Sequence, residues 1–257
     1  MELFPGGSML QRYFGVVLLG VSLLPLPLMA QAAVVAPAPQ EWKVQAPVYF
    51  SPEAVDIAGV LPTPPAPGSL AAEADLEAVL MAQTFRGPEQ EAWAQFSEAD
   101  GVFKHAPEIG PWFTAQNLPL CEAFFRRVLG DAHAVSERAK RLHVRPRPPR
   151  VDPRVHPCVR LPGSTSYPSA HSMQAFLMAA ILGELLPEQR ELLLARAHRA
   201  AWSRIIGGVH FPTDDVGGRL LARAILAELQ RSPAYRADLE GCRVELEAQA
   251  RARRSRP

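Results

Sequence analysis

The stretch Ser203-Arg204-Ile205-Ile206-Gly207-Gly208-Val209-His210-Phe211-Pro212-Thr213-Asp214 places one guanidinium, one imidazole and one carboxylate around a Gly-Gly break. An arginine suits an oxyanion, because its planar fork offers two parallel charge-assisted hydrogen bonds. A histidine followed four residues later by an aspartate suits an imidazole with one nitrogen held by a carboxylate and the other free to attack or to bind. The same spacing alone also reads as a structural hydrogen bond, or as an acid favoured in the first turn of a helix. The surrounding apolar positions decide the fold. Leu192, Leu193, Ala197, Ala201 and Ile205 predict a helix over 188–206 that Gly207-Gly208 ends, and Pro212-Thr213 starts another that runs through Leu220, Leu221, Ile225 and Leu229.

Upstream, Met173 to Leu186 reads as a buried helix stopped by Pro187, with Ser169 as its cap and His171 in its first turn. Unsatisfied N–H groups and the positive dipole end make such a helix start a natural anion site. Before it, Asn117 is expected to cap a long helix with Pro119 in its first turn. Leu120, Phe124, Phe125, Val128 and Leu129 form its apolar face, and Pro146, Pro148 and Pro149 end it near Leu142. Lys140 then falls on its last turn and Arg147 in the extended segment after it, although cations there also serve simply to complement the helix dipole. Ser69 opens a first helix that Gly87-Pro88 stops, and a shorter one is expected over 89–100 with Trp93 and Phe96 facing the core. No internal repeat is visible and little reads as strand. The fold class is all-α, a compact helical bundle that buries two long helices.

Apolar residues make up 48% of the 257-residue chain, charged residues 21%, and the net charge is +1. That balance gives no reason to expect nucleic acid or an anionic membrane as partner, and a mean hydropathy of −0.02 excludes a polytopic membrane protein. Residues 1–32 read as an export signal: Arg12, an apolar run from Tyr13 to Leu28, and Ala30-Gln31-Ala32 before a cut at Ala33. Translation could start at Met1 or Met9, and an uncleaved anchor is the other reading of this segment. A Pro/Ala-rich lead-in over 33–68 is expected to be extended and outside the core, the helical domain to span 69–240, and a basic tail to occupy 241–257. Cys121, Cys158 and Cys242 allow any one of three pairings in an oxidising compartment and show no metal-ligand spacing.

Three stretches in order, Lys140…Arg147-Pro148, Pro168-Ser169-Ala170-His171 and Ser203-Arg204…His210…Asp214, resemble the superfamily of type 2 phosphatidic acid phosphatases and vanadium haloperoxidases. Within it the chain is most similar to secreted bacterial class A non-specific acid phosphatases, also in Ser166-Tyr167 and in Asp215-Val216-Gly217-Gly218-Arg219. The resemblance covers roughly 69–230. It implies the bundle of that superfamily, and an exported, periplasmic or secreted, metal- and cofactor-free acid phosphatase acting on small phosphate monoesters. Lys140, Arg147, Arg204, Ser169 and the Ala170 N–H would hold the phosphoryl group, His210 would attack it, Asp214 would hold His210, and His171 would protonate the leaving oxygen. The family usually has glycine at Ala170, which puts rate and substrate range in question. Alternatives within the superfamily are an exported phosphate- or phospholipid-binding protein, a lipid pyrophosphatase and a vanadate-dependent haloperoxidase. No membrane span is expected after signal cleavage, and a homo-oligomer is left open.

Overall fold

The computed structural model describes residues 46–98 and 101–254. The export-signal reading over 1–32 and the choice between Met1 and Met9 lie outside the described residues. Seven longer helices carry the fold: α1 Leu70–Phe85, α2 Pro88–Phe96, α3 Pro119–Leu142, α4 Ala170–Leu185, α5 Arg190–Ile206, α6 Pro212–Arg231 and α7 Pro233–Arg254. Short helical turns fill the connections, and no strand occurs among the described residues.

α4 lies at the centre. Met173, Leu177, Met178, Ile181 and Leu182 are buried, and buried positions recur round most of the helix, with only a narrow strip at Ala180 and Glu184 exposed. α5 and α6 pack along it, and α3 lies against α4, α6 and α7. α3 buries Cys121, Phe124, Phe125, Val128, Leu129, Ala132, Val135 and Ala139, the three-and-four spacing of an amphipathic helix.

Asn117 does not cap α3. The residue at its start is Leu118, which makes no side-chain cap, and the Asn117 amide donates instead to the Trp112 carbonyl. The Glu245 carboxylate of α7 takes the free N–H groups of Leu120 and Cys121 at 3.0 and 2.9 Å. A disulfide joins Cys121 to Cys242 and leaves Cys158 as the free thiol. The segment expected as a basic tail is therefore the second half of a helix with Cys242 and Leu246 buried against α3.

The described part of the lead-in also belongs to the core. Tyr49, Val55, Ile57 and Leu61 are buried in the main cluster, because the buried Asp131 of α3 accepts from the N–H groups of Val48 and Tyr49. Composition alone, rich in Pro and Ala, hid those anchors. α2 stops at Phe96, short of the expected end. Trp93 and Phe96 are half-buried under arginines of α5, with Arg199 3.9 Å from the Trp93 ring centre, so cation–π contacts replace the expected apolar core packing.

Candidate active site

Four chain segments converge at the N-terminal end of α4: the end of α3 with the following residues 143–147, the loop 164–169, the α5–α6 turn, and the loop after α2. The first two are zipped together. The Arg145 N–H donates to Thr165 Oγ1 at 2.6 Å, and Ser166 N–H donates to the Arg145 carbonyl at 2.8 Å. The turn is made by Gly208, whose φ of +72° suits glycine. After it the His210 and Val209 N–H groups fold back onto the Arg204 carbonyl at 3.3 and 3.1 Å. α6 reaches the start of α4 because it carries two glycines there. A Cβ on Gly217 would stand 2.7 Å from the Tyr167 ring, and one on Gly218 would stand 2.5 Å from the Ser169 carbonyl oxygen.

His210 is 2% exposed. Its Nδ1 lies 3.3 Å from Asp214 Oδ2, and its Nε2 lies 3.1 Å from Arg147 Nη1. A guanidinium only donates, so Nε2 is the lone-pair nitrogen and Nδ1 carries the proton toward Asp214. Burial holds the imidazole down at about 3, with Arg147 and Lys140 adding to the effect and Asp214 opposing it. Asp214 is itself fixed from several sides. It accepts from Arg145 Nη1 at 2.7 Å, Ser166 Oγ at 2.5 Å and the Phe211 N–H at 2.9 Å. Burial alone would raise its carboxyl, but His210, Arg145 and Ser166 outweigh it and hold it at about 2. Arg145 bridges onward to Asp75 of α1 at 2.7 Å and stacks 4.0 Å from the Phe211 ring centre. Asp75 also accepts from Thr213 N at 3.1 Å.

The cations expected to hold an anion are all buried. Lys140 donates to the Thr165 carbonyl at 2.9 Å. Arg147 donates to the carbonyls of Ser164 and Val209, both at 2.8 Å. Burial lowers Lys140 to about 8, reinforced by Arg147, and lowers Arg147 to about 10, reinforced by Arg204. Arg204 donates to the Ala94 carbonyl and lies 3.7 Å from Glu98. Ser169 caps α4 through Ser172 N at 3.3 Å, and its own N–H donates to the Asp214 carbonyl at 3.0 Å. Ala170 is the first residue of α4. Its backbone is thus helical with negative φ, a conformation alanine adopts as readily as glycine, and first-turn N–H groups have no acceptor within the helix.

His171 follows in the same turn. Its Nε2 lies 3.1 Å from the Glu98 carbonyl, which only accepts, so Nε2 carries a proton and Nδ1 is the nitrogen free to exchange one. Burial lowers it to about 3, with Arg204, Arg147 and Lys140 pressing the same way. The fields of all three cations reach His171, and those of Arg147 and Lys140 reach His210. The residues named from the sequence therefore lie in one connected cluster at the start of α4. The sequence reading left out Arg145, Asp75 and Glu98, and it noted Ser166 without giving it a role. Arg145 stands inside a stretch quoted for other residues, while Asp75 and Glu98 lie far from their partners in the chain and carry no local signal.

Chemically the arrangement is a buried, cation-rich cluster with a neutral, oriented imidazole on one side and a second imidazole at a helix start. It suits an anion with a tetrahedral centre. Among the described residues no cluster of His, Cys, Asp and Glu is placed to hold a metal ion, and no helix is long and apolar enough to cross a membrane.

Comparison with known proteins agrees with this geometry. The PAP2 superfamily model matches residues 124–237, a span that holds all three motifs. The chain is 28% identical over 214 residues to the non-specific acid phosphatase of Salmonella typhimurium, covering 78% of this chain and 84% of that protein. It is 29% identical over 204 residues to that of Providencia stuartii, covering 75% and 82%. In structure it resembles the first bacterial vanadium-dependent iodoperoxidase, with a TM-score of 0.52 and 19% identity over 78% of this chain and 63% of that one, a likeness of fold alone. Residues 124–237 thus match the PAP2 superfamily, and most of the chain is similar to non-specific acid phosphatases.

Proposed function

We propose that this protein is an exported acid phosphatase that hydrolyses phosphate monoesters through a phosphohistidine on His210, without a metal ion. The observation that carries the reading is the orientation of His210, with its proton toward Asp214 and its lone pair toward Arg147. In the first step Nε2 attacks phosphorus, the bond from phosphorus to the leaving oxygen breaks, and that oxygen takes a proton from His171 Nδ1. In the second step His171 takes a proton from water, the water oxygen attacks phosphorus, and the bond to His210 breaks to release phosphate. Lys140, Arg147, Arg204 and the first-turn N–H groups of α4 neutralise the non-bridging oxygens. Each charge-assisted bond contributes about 1.5–3 kcal/mol. Asp214 stabilises the positive charge that His210 gains on attack. A divalent cation would face three buried cations here, which favours an anion as the occupant.

Both imidazoles are neutral near pH 5 without ligand. A bound phosphoryl dianion reverses the field at His171 and raises its affinity for a proton, so substrate binding loads the general acid. Export is supported by the signal-like sequence 1–32 and by the Cys121–Cys242 disulfide, which suits an oxidising compartment. N-terminal sequencing of protein recovered outside the cytoplasm tests it, with Ala33 as the expected first residue. For the chemistry, hydrolysis of phenyl phosphate is followed from pH 4 to 7 with a chelator present. The expected result is chelator-resistant turnover that vanadate inhibits and that His210→Ala lowers on the order of 10³-fold or more. Turnover lost to chelator, or a burst of phenol that survives in His210→Ala, would overturn the mechanism.

A further inference from the structure

His171 faces more than the cations. It also lines a cavity of about 70 Å³ whose other walls include Ser97, Lys104, His105, Gln174 and Arg196. If His171 protonates the leaving oxygen, the group attached to that oxygen must lie beside it, and this cavity adjoins it. Its walls mix these polar groups with apolar ones such as Leu129, Ala175 and Met178, and the polar atoms differ in occupancy. Arg196 is paired with Glu108 at 2.8 Å and stacked over Trp93. Lys104 donates to the Phe96 carbonyl and lies 4.5 Å over the Phe96 ring. By contrast the buried atoms Ser97 Oγ and His105 Nδ1 have no hydrogen-bond partner among the described residues, and His105 as a whole is 6% exposed. Buried polar atoms are seldom left in that condition, and each exception asks for an explanation.

Burial also lowers His105 to about 3, with Arg196 acting in the same sense, so it stays neutral. A neutral imidazole and a serine hydroxyl suit a group that both donates and accepts, and an alcohol does both. At about 70 Å³, well under the roughly 150 Å³ of an enclosed cavity that admits benzene, the cavity has the room of a short carbon chain. We propose that this cavity is a leaving-group site for small hydroxylated alkyl phosphates, of glycerol phosphate size, with His105 and Ser97 engaging the hydroxyl groups. The inference rests on the phosphatase reading and names the substrate class of that site.

The test compares kcat/KM for glycerol 3-phosphate and for propyl phosphate, which has the same carbon chain without the hydroxyls. The parent protein should favour glycerol 3-phosphate on the order of ten-fold, because a site built to bind hydroxyls rejects the analogue lacking them. In Ser97→Ala and His105→Leu the ratio should fall toward that of the uncatalysed esters, chiefly through KM for glycerol 3-phosphate. His105→Asn keeps a polar atom near the Nδ1 position and should restore much of it. The ratio is taken within each variant, so losses of folded protein and intrinsic ester reactivity cancel. A ratio that does not change across these variants would overturn the inference, as would turnover of phenyl phosphate with neither small ester accepted. In both cases the phosphatase reading would stand. Failure of every ester, phenyl phosphate included, would bring down that reading and this one together.

Discussion

Arg145 and Arg147 stand two residues apart in one extended segment and meet opposite surroundings. Arg145 lies between two carboxylates, Asp75 and Asp214, at 2.7 Å from each. Arg147 donates to backbone carbonyls and to His210, with no carboxylate at ion-pair distance among the described residues. The two histidines divide in the same way, His210 against a carboxylate and His171 against a carbonyl. One half of the site is internally neutralised, so its geometry is fixed before any ligand arrives. The other half holds buried positive charge that backbone carbonyls and, at Arg204, the Glu98 carboxylate compensate, and the proposed anion would complete it. Preorganisation and affinity are thus assigned to different residues of one short loop.

The largest expected effect separates the two histidines. His171→Ala should slow alkyl phosphates by about 10²–10⁴-fold and phenyl phosphate far less, since phenolate leaves without much protonation. Equal losses on both esters would show that His171 shapes the pocket and does not deliver a proton. The arginines come next, and their separation is in stability as well as rate. Arg147→Met should lower kcat by about 10²–10³-fold yet change unfolding free energy by no more than about 1–2 kcal/mol, because loss of a buried cation offsets the carbonyl bonds it leaves. Arg145→Met leaves two buried carboxylates without the cation between them and should cost about 3–5 kcal/mol in urea unfolding. Arg145→Lys should not repair this, since a single ammonium cannot fork between two carboxylates. Similar stability losses in the two methionine variants would erase the distinction.

The third comparison concerns pH. His105, His171 and His210 sit near 3 when folded, below their ordinary 6.5. The unfolded chain therefore binds more protons between those values. Their contribution to stability is complete above pH 6.5 and is lost as pH falls toward 3, by at most about 1.4 kcal/mol per unit for each histidine. Calorimetry in anion-free buffer should show Tm falling over that window. Sulfate, a dianion throughout, should protect more at pH 5 than at pH 7, because it lets His171 hold a proton in the folded state. In His171→Ala that difference should largely vanish. If it persists, the open half is tuned by another group.

The sequence carried the anion-holding half better than the fixed half. Lys140, Arg147, Ser169, His171 and Arg204 stand next to helix ends that prolines and glycines mark, so local spacing locates them. Asp75 works because α1 meets α6 at Thr213 138 residues later, and Glu98 because α2 ends early and turns back to His171 and Arg204. Neither position has a local pattern, since its partner is supplied only by packing. The same reason hid the fold's two edges. Tyr49 is tied down by Asp131, and α7 is held by the Glu245 cap on α3. Periodicity located helices, but not which polar group would anchor them.

The smallest effect belongs to Ala170, the position where this chain departs from the motif it resembles. If the open half works by charge and N–H donors, the methyl group matters little, because Ala170 begins α4 with helical backbone and keeps its N–H. Ala170→Gly should then change kcat/KM for phenyl phosphate by less than about three-fold and cost no more than about 1 kcal/mol in stability, the usual penalty for glycine in a helix. Steady-state rates and Tm on the same preparation check both. A ten-fold gain in rate would mean that the methyl crowds the phosphoryl group, and that bulk at the start of α4 limits this half of the site as much as its cations support it.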